Sequence, residues 1–575
     1  MKASKLYFPI LLMSLSFQFC QKKEDTFLAP ILKNIGEYSV PVTTASESAQ
    51  LFFNQGLIMA NGFNHAEAER SFREAVRLDP NFAMGYWGIA YVLGPNFNSA
   101  DNMGMVTEIK SALAKATLHS ELSSPWEKAL IEAMNIKFPK DAEVADSEGF
   151  AEALKKAYLD FPENTIVMTL YAEALMNLHP WDFYESKRGT PRPWTPEIVT
   201  LLEEIIAKDS QNPLANHLYL HATEAGPDLS KALESAERLK TLVPASGHLV
   251  HMPSHIYINT GDYHEGSLVN EAAVIADSIY IAECKSQGYY PQMYYPHNYH
   301  FLAATAALEG RGARSLEAAF KTSSLIDKKY YHEPGYEMVQ HYLTIPNHIL
   351  VKFGQWEKLL ALPKPSPDLI YPTAIWHYSR GMALANMDRL DQAKEELQQL
   401  KELSLSPTIA DQLNWGINKV TDVCRIGAKV LEAELSRREG TPEKAIDLLK
   451  EAIALEDQLN YNEPPDWFFS VRHILGNLYL ELEQFPQAEE LYREDLFLWP
   501  KNGFALNGLK ESLLGQGKTL EAEEVQKQFQ EAWKFADSEL KGSQIDPTKR
   551  KNLALILDNS SPSLVFLASS LCMSN

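Results

Sequence analysis

Apolar residues recur three and four positions apart along most of the chain, the spacing of one helix face, and no stretch alternates as a half-buried strand would. The helical stretches come in pairs. "AQLFFNQGLIMANGFNHAEAERSFREAVRLDPNF" (49–82) has small residues at Gly56 and Ala68, an aromatic at Phe72, small again at Ala75 and a terminating Pro80. Gly476, Tyr479, Ala488, Tyr492 and Pro500 repeat the pattern near the other end. Small residues let two antiparallel helices approach, the aromatic fills the space between them, and proline stops the second helix. One pair cannot bury its own apolar face, so pairs must stack.

The register predicts units starting near Ala49, Ala83, Pro213, Gly247, Pro296, Gln340, Ala374, Ile426, Phe469 and Gly503. Between about 97 and 212 the period blurs, yet helix starts persist. "SPWEKALIEAM" offers Ser124 as cap, Pro125 at the first helical position and Glu127 to complete a capping box; "TPEIVTLLEEIIAK" offers Thr195 and Pro196 in the same way. The stretch 179–194, "HPWDFYESKRGTPRPW", is expected to be an ordered excursion.

Over residues 47 to about 540 the spacing resembles the tetratricopeptide repeat (TPR). That resemblance implies an all-α, TPR-type α-solenoid, a right-handed superhelix of antiparallel helix pairs. It also implies that the first helices line a concave groove holding a protein or peptide. "AMGYWGIAYVLGPN", "HLYLHATEA", "GHLVHMPSHIY" and "YYPHNYHF" further resemble a group of bacterial TPR lipoproteins with a His-rich central region, a likeness that lends fold and not chemistry.

The start of the chain changes the picture. "MKASKLYFPILLMSLSFQFCQKKED" runs from lysines through about ten apolar residues to Cys20, a secretory signal too short to span a bilayer. The cysteine resembles a lipoprotein acylation site, implying export and a lipid anchor at an outer membrane, cell surface or periplasm. The expected layout is a signal peptide (1–20), a tether (21–46), N-terminal and irregular helical repeats (47–212), His-rich repeats (213–373), C-terminal repeats (374–540) and a poorly ordered tail (541–575). A net charge of −22 argues against nucleic acid as a partner. Cys284, Cys424 and Cys572 are far apart and suggest neither disulfide framework nor zinc knuckle.

The candidate chemistry is histidine. His217 and His221 are fifth and ninth in the unit from Pro213; His251 and His255 take the same places 34 residues later, with His248 second. His297 and His300, then His341 and His348, fall second, fifth or ninth in the next two units. Those places form one stripe of each first helix, and Glu224 extends it by a turn. Three readings follow: a divalent transition metal (Zn, Cu, Ni or Fe) on His217, His221, His248, His251 and His255; a pocket for a polar ligand; or histidines that only satisfy buried groups. Glu224, Tyr294, Tyr295, His297, His300, His341 and His348 are expected to line the ligand groove. No HExxH, GxSxG or phosphate-binding glycine loop is present, so a binding protein is expected. The alternative is a metal-dependent enzyme with Glu224 as general base.

Overall fold

The computed structural model describes residues 27–96, 105–141, 144–546 and 548–549. Cys20, Cys572, the signal segment and most of the tail lie outside the described residues. The fold is all-α. Among the described residues, twelve antiparallel helix pairs follow one another, from Glu47–Asn61 with His65–Leu78 to Gly503–Gly515 with Thr519–Ala532. Among the described residues, strand is confined to two short hairpins, Leu413–Asn414 with Asn418–Lys419 and Leu540–Lys541 with Gln544–Ile545.

The sequence pattern explains how pairs stack. Phe72 is wholly buried and its ring is wedged between Gly56 of its own pair and Gly88 of the next. Tyr492 sits between Gly476 and Gly508 in the same manner. Burying one such ring is worth about 1.5–3 kcal/mol, which requires both glycines to leave it room. In the stretch where the period blurs, Pro125–Lys137, Ser147–Asp160, Thr165–Leu178 and Thr195–Lys208 continue the array. The Ser124 N–H donates to Glu127 Oε2 at 2.6 Å, as the capping box requires. Thr195, in contrast, is the first helical residue and not the cap; its hydroxyl donates to the Phe183 carbonyl at 2.5 Å and pins the 179–194 excursion.

Several unit starts shift. Ala83, Pro213, Gly247 and Gly503 begin helices as expected, whereas the helix expected from Pro296 runs Tyr289–Leu308 with that proline inside it. Proline usually marks a helix start because it lacks an N–H. Here one lost backbone bond is outweighed by burial of Tyr290, Met293 and Tyr294 in the two turns before it. The helices expected from Ala374, Ile426 and Phe469 likewise begin at Ile370, Val420 and Arg472.

The described parts of the expected tether and tail are packed. Residues 27–46, the described part of the expected tether, lie extended along the first pairs: Leu32 N–H donates to Gln55 Oε1 at 2.9 Å, and Thr43 donates to buried Glu127 through both N–H and hydroxyl. The apolar Ala29, Leu32 and Val40, spaced too unevenly to signal an element, are buried. Beyond Lys541, Ser543 is buried and its hydroxyl donates to the His473 carbonyl at 2.6 Å.

The array closes on itself. Ala245 N–H donates to Asn34 O at 2.9 Å, bringing the start of the chain against its middle. Tyr263 donates to the Pro500 carbonyl at 2.8 Å, and Asp537 receives Gly312 N–H at 2.9 Å, bringing the end against the middle. A Gly56→Ala substitution would place its Cβ 2.8 Å from the Phe72 ring. It should cost about 1–3 kcal/mol by overpacking, seen as a lowered thermal-unfolding midpoint; an unchanged midpoint would show that the ring has room to retreat.

Candidate metal centre

Three consecutive first helices carry the site. Asn212 Oδ1 accepts from Ala215 N–H at 3.0 Å and so starts the helix Pro213–Thr223 where His217 is fifth and His221 ninth. Glu224 is the C-cap of that helix. His248 and His251 lie on Gly247–His251, and His255 on Pro253–Thr260, the two segments meeting at Met252 just before Pro253. His297 follows Pro296 on Tyr289–Leu308. All these side chains are buried, so the stripe faces an interior and not an open groove.

The rings converge. One ring nitrogen each from His217, His221 and His248 lies within 4.8 Å of the others, and so does one each from His251, His255 and His297. Glu224 joins the two groups: Oε1 is 2.8 Å from His221 Nδ1 and Oε2 is 2.5 Å from His255 Nδ1. His217 Nδ1 meets the Asn61 carbonyl at 2.8 Å, and His251 Nδ1 meets Asn270 Oδ1 at 2.7 Å. A carbonyl or carboxylate oxygen only accepts, and Asn270 is oriented because its Nδ2 donates to Gly266 O at 2.7 Å. The proton of these four rings therefore sits on Nδ1. Their Nε2 atoms point inward: His251 Nε2 is 3.0 Å from His255 Nε2, and His217 Nε2 is 3.2 Å from His248 Nε2.

Charge follows from burial. Burial first, then the neighbouring rings, pushes His217, His248, His251 and His297 well below the usual histidine range. Burial also lowers His221, against the pull of Glu224. For Glu224 burial acts upward, but His255 and His221 outweigh it and hold the carboxylate ionised. The expected general base is thus an orienting carboxylate, already engaged by two imidazoles and by Tyr461, whose hydroxyl donates to Oε2 at 3.0 Å.

The chain's own segments roof the site. Phe63, from the turn of the first pair, lies 5.0 Å from the His217 and His248 rings. Trp181 of the 179–194 excursion meets His221 edge-on at 5.1 Å, and Trp415 of the first hairpin meets His297 at 5.7 Å. Phe301 lies 4.6 Å from His251 and 4.4 Å from His255. Tyr461 closes the far side, accepting from Asn259 Nδ2 at 3.0 Å.

Not every expected residue joins. Tyr294 packs beside the first triad, 5.1 Å from His248. Tyr295, one residue on and about 100° round the helix, turns away and packs on Tyr299 at 5.4 Å. His300, His341 and His348 gather instead around Phe468 and Tyr371: His300 stacks on Phe468 at 5.2 Å, and His341 Nδ1 is 2.9 Å from the Tyr371 hydroxyl. His297 and His300, three residues apart, thus serve different groups. The partners Asn61, Asn270 and Tyr461 were missed, being up to 237 residues from the rings or carboxylate they bind. A signal did exist in Pro253, Pro296 and Pro346, each one or two residues before a histidine in the middle of a helical stretch.

Glu224→Gln should destabilise the fold. The amide keeps one acceptor oxygen for three donors and turns an N–H toward a ring N–H, at about 1–3 kcal/mol for an unsatisfied buried donor. Thermal unfolding monitored by circular dichroism checks this; an unchanged midpoint would mean that the rings switch tautomer freely.

No protein-family model matches the chain, and no curated protein sequence matches it. Solved structures with a similar course include a chain of the APC/C hetero-tetramer Cut9–Hcn1 (14% identity, 84% of this chain and 76% of that one, TM-score 0.30). The human IFIT1 dimer with m7Gppp-AAAA is another (12%, 85% and 91%, TM-score 0.30), as is yeast Tom70 (14%, 84% and 90%, TM-score 0.31). At such scores the likeness carries no argument about the site. The twelve stacked pairs among the described residues, with Phe72 and Tyr492 each seated between two glycines, make the chain an all-α solenoid of antiparallel helix pairs.

Proposed function

We propose that the chain is an interaction scaffold built around a buried two-ion transition-metal centre. His217, His221 and His248 hold one ion, His251, His255 and His297 hold the other, and Glu224 orients one ring of each triad. The observation that carries this reading is the 3.0 Å approach of His251 Nε2 to His255 Nε2 while both Nδ1 atoms face acceptors. Two Nε2 atoms at that distance need a cation between them, a metal ion or a proton, and a metal ion is what the third ring of each triad adds a ligand for. Ligands of one tetrahedral ion with Zn–N of about 2.0–2.1 Å lie roughly 3.3 Å apart, close to the spacing of both pairs. The Nδ1 partners match what metal-bound histidines need, an oxygen that fixes the tautomer and raises ligand basicity.

Neutral imidazoles without thiolates suit Zn, Cu, Ni or Fe. Three protein ligands per ion leave a coordination position open, the arrangement of reactive rather than closed structural sites. Stacked helix pairs support a protein-interaction role, but the histidine stripe is roofed, so a protein partner meets other faces of the array. Export and anchoring through Cys20 rest on the residue pattern of 1–20 alone.

Titrating the chelator-treated full chain with Co2+, followed by its visible absorption and by elemental analysis, should give about two ions per chain, a count set by the two triads. His251→Ala and His217→Ala should each remove one equivalent while helix content is kept. A wild-type chain that takes up none of Co2+, Zn2+, Cu2+ or Ni2+ would overturn the reading and leave a shared proton between the rings. Separately, Cys20→Ala should move the protein from the membrane fraction to the soluble one; unchanged fractionation would sink the anchor.

A further inference from the structure

One open space among the described residues lies away from the histidine triads. A groove of about 790 Å³ lies among the C-terminal pairs, with Lys352, Trp356, Tyr378, Trp467, Phe469 and His473 in its walls. That volume lies in the range of pockets for small organic ligands, about 300–1,000 Å³. Three side chains from three helices form a relay at its wall. Lys352, the last residue of Ile345–Lys352, places Nζ 2.8 Å from His473 Nδ1. His473, on Arg472–Glu481, places Nε2 2.9 Å from Asp495 Oδ2, and Asp495, on Phe485–Leu498, also receives Asn502 Nδ2 at 2.8 Å.

The geometry sets the proton positions. For Asp495 burial acts upward, but His473 outweighs it and holds the carboxyl down at about 2, so it is an acceptor. His473 then carries its proton on Nε2 and turns its Nδ1 lone pair to Lys352. The amine lies over the Phe504 ring, 3.6 Å from its centre, and 5.0 Å from that of Phe469. Burial pulls it down to about 7, against Asp495 and Glu456, so an unprotonated fraction exists at neutral pH. A nucleophile within hydrogen-bond reach of an imidazole, itself oriented by a buried carboxylate, is the general arrangement for activating a weak nucleophile.

We propose that Lys352, His473 and Asp495 form a covalent carbonyl-binding site, in which the Lys352 amine condenses with an aldehyde or ketone seated against Trp356, Tyr378 and Trp467. Addition forms the N–C bond and passes one amine proton to His473 Nδ1. Return of that proton to the former carbonyl oxygen gives the carbinolamine. Loss of its hydroxyl with the second amine proton releases water and leaves the imine; no oxidant or reductant takes part. Lys352 is the covalent residue, while His473 and Asp495 position and shuttle. Trp356, Tyr378 and Trp467 favour an aromatic carbonyl compound, because the charged wall residues Arg437 and Arg438 are already paired with Glu434 and Glu481.

The test treats the full chain with benzaldehyde, and in a second arm with pyruvate, in the presence of cyanoborohydride, and maps the reduced adducts by peptide mass spectrometry. Wild type should carry the benzaldehyde adduct first on Lys352, ahead of exposed lysines such as Lys231 and Lys527. Its rate should rise to a midpoint near pH 7, set by Lys352 among its facing groups Asp495, His473 and Glu456, whereas exposed lysines respond near about 10.4. His473→Gln and Asp495→Asn should slow the adduct by about 10²-fold, and Lys352→Arg should abolish it with helix content kept. Mapping wild type alone decides the matter if a variant fails to fold. Labelling of Lys352 no faster than of the exposed lysines, or a rate indifferent to His473→Gln, would overturn the proposal; faster labelling by pyruvate would overturn the aromatic preference.

Discussion

One carboxylate holds the middle of this molecule together. Glu224 is buried and receives His221 from its own pair, His255 from the next, and Tyr461 from a segment 237 residues away. A buried charge is costly unless paired and fully hydrogen-bonded, and removing partners from such a group commonly costs several kcal/mol. That cost works as a constraint on the rest. Adjacent first helices must keep the register that presents both rings to one carboxylate. The distant residues 460–470 must fold over them to deliver Tyr461. An open superhelix would leave Glu224 and the surrounding imidazoles half-solvated, so the closure at Asn34, Pro500 and Asp537 and the buried polar centre depend on one another.

The division between what the sequence shows and what it hides follows from range. Helix pairing is local: Gly56, Phe72 and Gly88 lie within one repeat length, and period alone reveals them. The fifth and ninth places of His217, His221, His251 and His255 are equally local, because equivalent positions on stacked units face the same way. Convergence of those rings follows from that equivalence alone. The roof does not. Trp181, Trp415 and Tyr461 lie on connecting segments with no period, and a TPR-like pattern suggests an open concave face where this chain has filled one. The same gap hid Lys352, His473 and Asp495, which come from three helices and share no spacing. Tyr295 and Tyr294 show the finer limit: neighbouring residues of one type point to different surroundings.

The proline positions show why the register slipped where it did. Met252 precedes Pro253, and the helix there is split into Gly247–His251 and Pro253–Thr260; Val339–Tyr342 and Ile345–Lys352 are split in the same way before Pro346. In Tyr289–Leu308 the proline is absorbed without a break. Each lacks an N–H, and a proline inside a helix bends it by releasing the carbonyl four residues back. Two of three neighbouring first helices are thus interrupted just before a proline, and the histidines just beyond, His255 and His348, lie on the second segment of each split helix. A straight-helix register places His297 and His300 together on one stripe. The helix, which starts seven residues before Pro296, sends His297 to the triad with His251 and His255, and His300 to Phe468. Straightening would cost more than packing. With the Nδ1 atoms of His251 and His255 tied to Asn270 and Glu224, joining the two segments at Met252 into one straight helix would turn their Nε2 atoms away from each other and break the 3.0 Å approach.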